Sequence, residues 1–149
     1  LDRFSWEKKP EMAVLYENLR SFSNSCILCM FTTSMVGPGY NYPTIRKLVQ
    51  AITGFELNPQ DMLVIGERNF DLMKLLAARE GYTREDDGLH PRLMAALPEG
   101  GSAGRAMDAD TLNRMIDRVY ELRQWDHWGP TDKKLAATGL EELIGKLRR

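Results

Sequence analysis

Long apolar runs are absent from this sequence. The longest, from Cys26 to Phe31, would cover less than about a third of a bilayer crossing, so no transmembrane helix and no membrane partner are expected. A surplus of either charge is lacking too. The 20 Lys and Arg face 21 Asp and Glu, for a formal net charge of −1, and no basic field invites nucleic acid. Cysteine is scarce. The two present, Cys26 and Cys29, stand three positions apart, which excludes a disulfide scaffold and suits a reducing, cytoplasmic setting. Residues 1–10, LDRFSWEKKP, are charged rather than hydrophobic and carry no secretory signal. Strand-like alternation, internal repeats and low-complexity tracts do not occur. Gly100-Gly101-Ser102-Ala103-Gly104 is a loop without the preceding strand or the following Lys-Ser/Thr of a phosphate site.

What is present is helical spacing, over 149 residues that suffice for one domain with a real core. The chain opens on Leu1 rather than Met, from which a fragment or a processed chain is expected. The strongest pattern covers residues 58–92. Asn58 is a good N-cap, Pro59 fits the first turn and Asp61 puts negative charge at the positive end of the dipole. Met62, Ile65, Leu72, Met73 and Leu76 recur at helical steps and predict one apolar face. Arg68, Asp71 and Lys74 fall three apart on another face, where weak ion pairs are expected. Gly81 reads as a left-handed stop, followed by a polar loop through Arg84-Glu85-Asp86-Asp87 to His90-Pro91-Arg92.

Upstream, a helix is expected over residues 8–24 with Met12, Leu15, Tyr16, Leu19 and Phe22 on one side. A turn follows at 36–41, then a helix over 43–53 with Ile45, Leu48, Val49 and Ile52 facing inward and Gly54 as its stop. Downstream, a short helical turn at 93–97 runs into the glycine-rich loop. Asp108 or Asp110 caps a helix striped by Leu112, Met115, Ile116, Val119 and Leu122, and Trp125, Trp128, Gly129 and Pro130 mark its exit. Thr131 caps a short helix through Ala137, Gly139 breaks it, and Leu140, Leu143, Ile144 and Leu147 form a last amphipathic turn. The sum is an all-α fold, an irregular bundle of five to seven helices.

Few residues invite chemistry. Cys26-Ile-Leu-Cys29 is a C-x-x-C, open to four readings on spacing alone. A redox dithiol normally sits beside a βαβ unit, which this pattern lacks. A zinc site needs two more ligands, yet His90 and His127 are distant and isolated. A cubane iron–sulfur cluster needs four thiolates, more than this chain has. The fourth reading is a pair of inert thiols in an apolar segment. Glu67 with Arg68 and Arg79 with Glu80 could line a pocket or form surface and interdomain salt bridges. Asp86 and Asp87 read as loop-ordering or capping carboxylates rather than an acid–base pair. His90 and His127 could serve as acid–base groups, though neither has a partner in the pattern. Trp125 and Trp128 read as anchors of a helix end.

GERN at 66–69, REG at 79–81, TREDDGL at 83–89 and PR at 91–92, in this order and spacing, closely resemble the tungsten-containing aldehyde ferredoxin oxidoreductase family. Pro98-Glu-Gly, Arg123-x-Trp125-Asp126 and Gly129-Pro130-Thr131 support the likeness, which runs from about Glu11 to about Leu140. In that family a D-x-x-G-L-C segment of the C-terminal helical domain touches the pterin and supplies a cluster cysteine. The matching stretch is Asn24-Ser25-Cys26-Ile27-Leu28-Cys29, so the resemblance implies Cys29 as metal ligand, with Asn24 and Leu28 in the cofactor-binding segment. Two positions depart from it: Asn24 stands where the family has Asp, and Ile27 where it has Gly. Cys26 matches no family ligand.

The resemblance implies that residues 1–149 are a single C-terminal helical domain of a larger multidomain oxidoreductase. The intact enzyme would oxidise an aldehyde to its carboxylic acid in an anaerobic cytoplasm. Electrons would pass from a tungsten (or molybdenum) bis-pterin to a [4Fe–4S] cluster and on to ferredoxin. Three thiolates would come from a C-x-x-C-x-x-x-C segment in the upstream domains. The fragment alone is then expected to be inactive, to bind no cofactor, to supply no catalytic residue, and to expose an apolar patch near Cys29 and Phe31 that favours self-association. Two alternatives stand beside this: a non-catalytic helical interaction module, and a same-family oxidoreductase acting on another substrate such as an aromatic acyl thioester.

Overall fold

A computed structural model describes residues 2, 4–33 and 39–147. The elements in chain order are α1 (Lys9–Ser25), α2 (Tyr42–Thr53), α3 (Pro59–Arg79), α4 (Pro91–Met94), α5 (Ala109–Arg123), β1 (Trp125–Asp126), β2 (Gly129–Pro130) and α6 (Asp132–Ala137). Three single turns of 3-10 helix, at Met30–Thr32, Arg84–Asp86 and Glu141–Leu143, complete the set. Six helices fall within the expected number and the fold is all-α in character. The turn expected at 36–41 lies partly outside the described residues.

The caps explain where the helices begin. Asn58 Oδ1 accepts from Gln60 N and Asp61 N, while Asp61 answers by accepting from Asn58 N at 2.7 Å, a complete capping box. Asn41, Asp108 and Thr131 cap α2, α5 and α6 in the same way, each accepting from the backbone N–H three residues on. Between the two sequence options for α5, Asp108 is the cap. α4 starts two residues earlier than expected, because His90 Nδ1 accepts from Arg92 N and Pro91 takes the first helical position. Gly81, at φ +99, ends α3 as the pattern implied.

α1 packs against both α3 and α5, and α2 joins α3. The α1–α3 crossing is close because Gly66 has no side chain: a Cβ there would lie 1.9 Å from the Asn18 carbonyl oxygen. Two apolar clusters result. Phe22, Ile45 and Met62 form the first, with Cys26, Leu28, Tyr42, Val49, Leu57 and Ile65 against it. Leu75, Leu135 and Leu140 form the second, flanked by Leu72, Leu143 and Leu147.

This division corrects the single apolar face expected on α3. At 100° per residue, Met62, Ile65 and Gly66 share one side, whereas Leu75 and Ala78 are turned well round from it, with Leu72 at the edge between. The buried face therefore rotates along α3 to serve two clusters, and Met73, on the older side, is exposed. Asp71 and Lys74 do not form the surface ion pairs predicted with Arg68; both point into the structure. The inward face of α2 is also shorter than expected. Residues 51–56 are all exposed and Ile52 is 83% exposed, because the last turn of α2 projects past its cluster.

The small ribbon was not anticipated. Trp125 pairs with Pro130 and Asp126 with Gly129 in a two-stranded antiparallel hairpin that lies on α3. Its strands are two residues long, too short for any period to show. Gly129 sits at φ +108 with its α-carbon so near α3 that a Cβ would meet Lys74 Cγ at 2.9 Å.

Candidate functional site

The C-terminal end of α1 carries the three residues singled out as metal- and cofactor-binding, and a standard cap shapes it. Leu28 N donates to Ser23 O at 3.1 Å and Ile27 N to Asn24 O at 2.9 Å, the paired bonds of a Schellman motif. Leu28 then folds back onto the Phe22 cluster, the apolar contact that completes such a cap. Leu28 is thus half-buried scaffold, while Asn24 before it and Cys29 after it are exposed. The reversal holds Cys29 at φ −65, ψ 134, where its carbonyl accepts from Thr32 N and, at 2.6 Å, from Thr32 Oγ1. Thr33 is buried beneath, Tyr40 N reaches back to Thr32 O at 2.8 Å, and Gly39 presses on the same carbonyl too closely for any side chain. The thiol is carried on a fixed turn.

The two cysteines have different surroundings. Cys26 packs against the first cluster, and burial pushes its thiol above the usual range. Cys29 is exposed, and its neighbours Ile27 and Phe31 are 93% and 75% exposed. A soft, accessible thiol on an ordered turn can hold one corner of an iron–sulfur or other thiophilic metal group. Among the described residues there is no group of three or more His, Cys, Asp or Glu able to hold a metal.

The stretch with the most specific motif braces this turn. In GERN, Gly66 admits α1, Glu67 Oε1 accepts from the buried Lys134 Nζ, and Arg68 lies against Gly139. Asn69 Nδ2 donates to Ser25 Oγ at 2.6 Å, tying α3 to the last turn of α1 four residues before Cys29. TREDDGL is a second knot. Thr83 and Asp86 form a capping box, Arg84 binds Asp117 at 2.7 Å, and Asp87 Oδ2 accepts from Lys74 Nζ at 2.8 Å and from the Tyr120 hydroxyl. Asp86 and Asp87 are thus loop-ordering carboxylates, as expected. Arg79 and Glu80 form an exposed salt bridge rather than a pocket wall. His90 caps α4, and His127 Nδ1 meets Glu85 at 3.2 Å on an exposed edge beside Trp128.

A polar network between α1, α3 and α5 had no signature in the sequence. Arg123, fully buried, donates from Nη2 to Glu17 Oε2 at 2.7 Å and to Asn18 Oδ1 at 3.2 Å, and stacks 4.6 Å from the Phe70 ring centroid. Asp71, also fully buried, accepts from Trp125 Nε1 at 2.7 Å. Burial raises its carboxyl from 3.8 to about 6, against the lowering effects of the Trp125 bond, Lys134 and Arg123. Burial, and then Asp87, raise the Tyr120 phenol. These partners are 54 or more positions apart, so no local spacing could have shown them. Above them lies an apolar cleft of ≈ 480 Å³ between α3 and α5, walled by Met73, Leu89, Leu112, Ile116 and Val119. Lys74, Asp87 and Tyr120 supply its polar end.

Comparison with known proteins agrees with these motifs. Residues 1–140 match the family model described as aldehyde ferredoxin oxidoreductase, domains 2 and 3. A tungsten-containing aldehyde ferredoxin oxidoreductase from Pyrococcus abyssi is 31% identical over 141 residues, covering 93% of this chain and 22% of that protein. Its namesake from Pyrococcus furiosus is 31% identical over 140 residues, with 92% and 22% covered. The aliphatic sulfonate oxidoreductase, WOR-like subunit, of Pyrococcus furiosus is 27% identical over 155 residues, covering 99% of this chain and 24% of that subunit. The chain thus spans under a quarter of the length of these relatives.

Proposed function

Because the chain belongs to the aldehyde ferredoxin oxidoreductase family, we propose that it is the C-terminal helical domain of a tungsten-dependent oxidoreductase and contributes one thiolate, Cys29, to a [4Fe–4S] cluster. The observation that carries this reading is the placement of Cys29. Its thiol stands on the surface, just past a rigid helix cap and between exposed apolar residues, where polypeptide bearing the other three thiolates can close over it. Cys26, tucked against the core, is left to packing.

In the intact enzyme the tungsten bis-pterin and the cluster supply the oxidation of an aldehyde to a carboxylic acid and the onward transfer of electrons to ferredoxin. This chain's own residues position and shield. The cap of α1 and the Asn69–Ser25 bond fix Cys29, exposed Asn24 offers an amide toward the pterin, and the bundle forms one wall of the cofactor pocket. Alone, with a single exposed thiol, the chain holds no cubane cluster and is inactive.

Cys29→Ser in the full-length protein is expected to abolish the four-iron electron paramagnetic signature and lower the iron content. An unaltered four-iron signal would refute the assignment. The relative named aliphatic sulfonate oxidoreductase favours a second reading in one respect, that the substrate is not an aldehyde. Reduction of a dye by purified full-length enzyme, with aldehydes, sulfonates and acyl thioesters compared side by side, separates the two.

A further inference from the structure

Ile27 combines two unfavourable features. It occupies the left-handed position of the Schellman cap at φ +57, where a β-branched side chain is disfavoured relative to glycine, and it leaves 93% of itself in water. Neither feature helps the fold. The cap bonds are backbone bonds, and the apolar contact that completes the motif belongs to Leu28. Elsewhere among the described residues the left-handed positions fall to glycine, including Gly54 and Gly81 at helix ends, or to Lys8 and Gln124, which are polar and unbranched at Cβ. Backbone strain kept at an exposed apolar residue marks a position held for contact with something else.

That something is placed by the neighbours. Ile27 precedes Cys29 by two residues and Phe31 follows by two, both largely exposed, while Leu28 between turns into the core. We propose that Ile27 is a positioning residue for the Cys29 metal corner: with Phe31 it forms an apolar collar that seals against the polypeptide carrying the remaining thiolates and keeps water from the cluster. The chain spans under a quarter of its relatives' length, so polypeptide of the same enzyme is available to cover this face. This inference rests on the reading of Cys29 given above. Reduction adds negative charge to a cluster, and water stabilises that charge, so exclusion of water holds the potential low.

The test is Ile27→Gly in the full-length enzyme, with Ile27→Val as the conservative control. Glycine relieves the left-handed strain, so the variant folds with a melting temperature no lower than that of the parent. It should retain its iron and its four-iron signature, yet show a less negative reduction potential and lose iron to a chelator several-fold faster. Ile27→Val should keep the parent's potential and its rate of iron loss. An unchanged potential and chelation rate in Ile27→Gly would overturn the collar while leaving Cys29 as ligand. Persistence of the signature in Cys29→Ser would instead overturn the reading beneath it.

Discussion

Asp71 shows how a single side chain can set the response of the whole fold to pH. Its carboxyl is fully buried, and Oδ1 accepts from Trp125 while Oδ2 has no hydrogen-bond partner among the described residues. Burial outweighs the neighbouring cations and raises the group from 3.8 to about 6, so the folded state prefers it protonated. Its contribution to stability is therefore fully present below about pH 4 and is lost as pH rises through about 6. The shift corresponds to roughly 3 kcal/mol. The exposed carboxylates Glu85, Asp86 and Asp108 are lowered instead, each chiefly by hydrogen bonds from Thr83 or Thr111, so their contributions fall away only at more acid pH. Asn at position 71 keeps an acceptor for Trp125 and removes the titration. Urea unfolding of Asp71→Asn should be flat between pH 4.5 and 7 relative to a falling parent curve. Parallel curves would show that Asp71 titrates normally.

Among the elements, the α1–α3 contact decides most. Gly66 lies on the Asn18 backbone, so Gly66→Ala must push the two helices apart, at a cost of about 3 kcal/mol in lost packing. The same change at Gly88, where a Cβ would meet nothing within 4 Å, is the matched control and should be close to neutral. Thermal melts of the two variants check this; equal melting temperatures would mean the helices are not held at that crossing. This contact also shows what the sequence disclosed. Helix positions were legible because caps and stops are local: Asn58, Asp61 and Gly81 act within a few residues of themselves. The buried faces were legible only in part. An apolar stripe cannot reveal that α3 changes the side it buries between Gly66 and Asp71, since Asp71 is polar and Gly66 counts as neither. The Trp125–Pro130 ribbon was invisible because two-residue strands have no alternation. At the site, the motif marked Cys29, but the strain at Ile27 is a backbone property that only φ discloses.

At the scale of the whole molecule, the outer surface carries more apolar area than a polar bundle needs. Ile27 and Phe31 flank Cys29 at one end of α1, while Ile52 and Phe55 protrude at the end of α2. Among the described residues no helix is long and apolar enough to cross a membrane. Patches of this kind favour association, since each large side chain withdrawn from water gains about 1.5–3 kcal/mol. The net charge of −1 gives little repulsion to oppose it. The isolated chain is therefore expected to self-associate as its concentration rises, and Phe31→Asp should return it to monomer without lowering its melting temperature, because Phe31 supports no buried contact of the clusters. Sedimentation equilibrium over a hundred-fold range of concentration reads this directly. A parent chain that stays monomeric throughout would mean that the exposed end of α1 is not adhesive by itself. A Phe31→Asp variant that still associates would move the contact to the end of α2, where Ile52→Asp would then be the disrupting change.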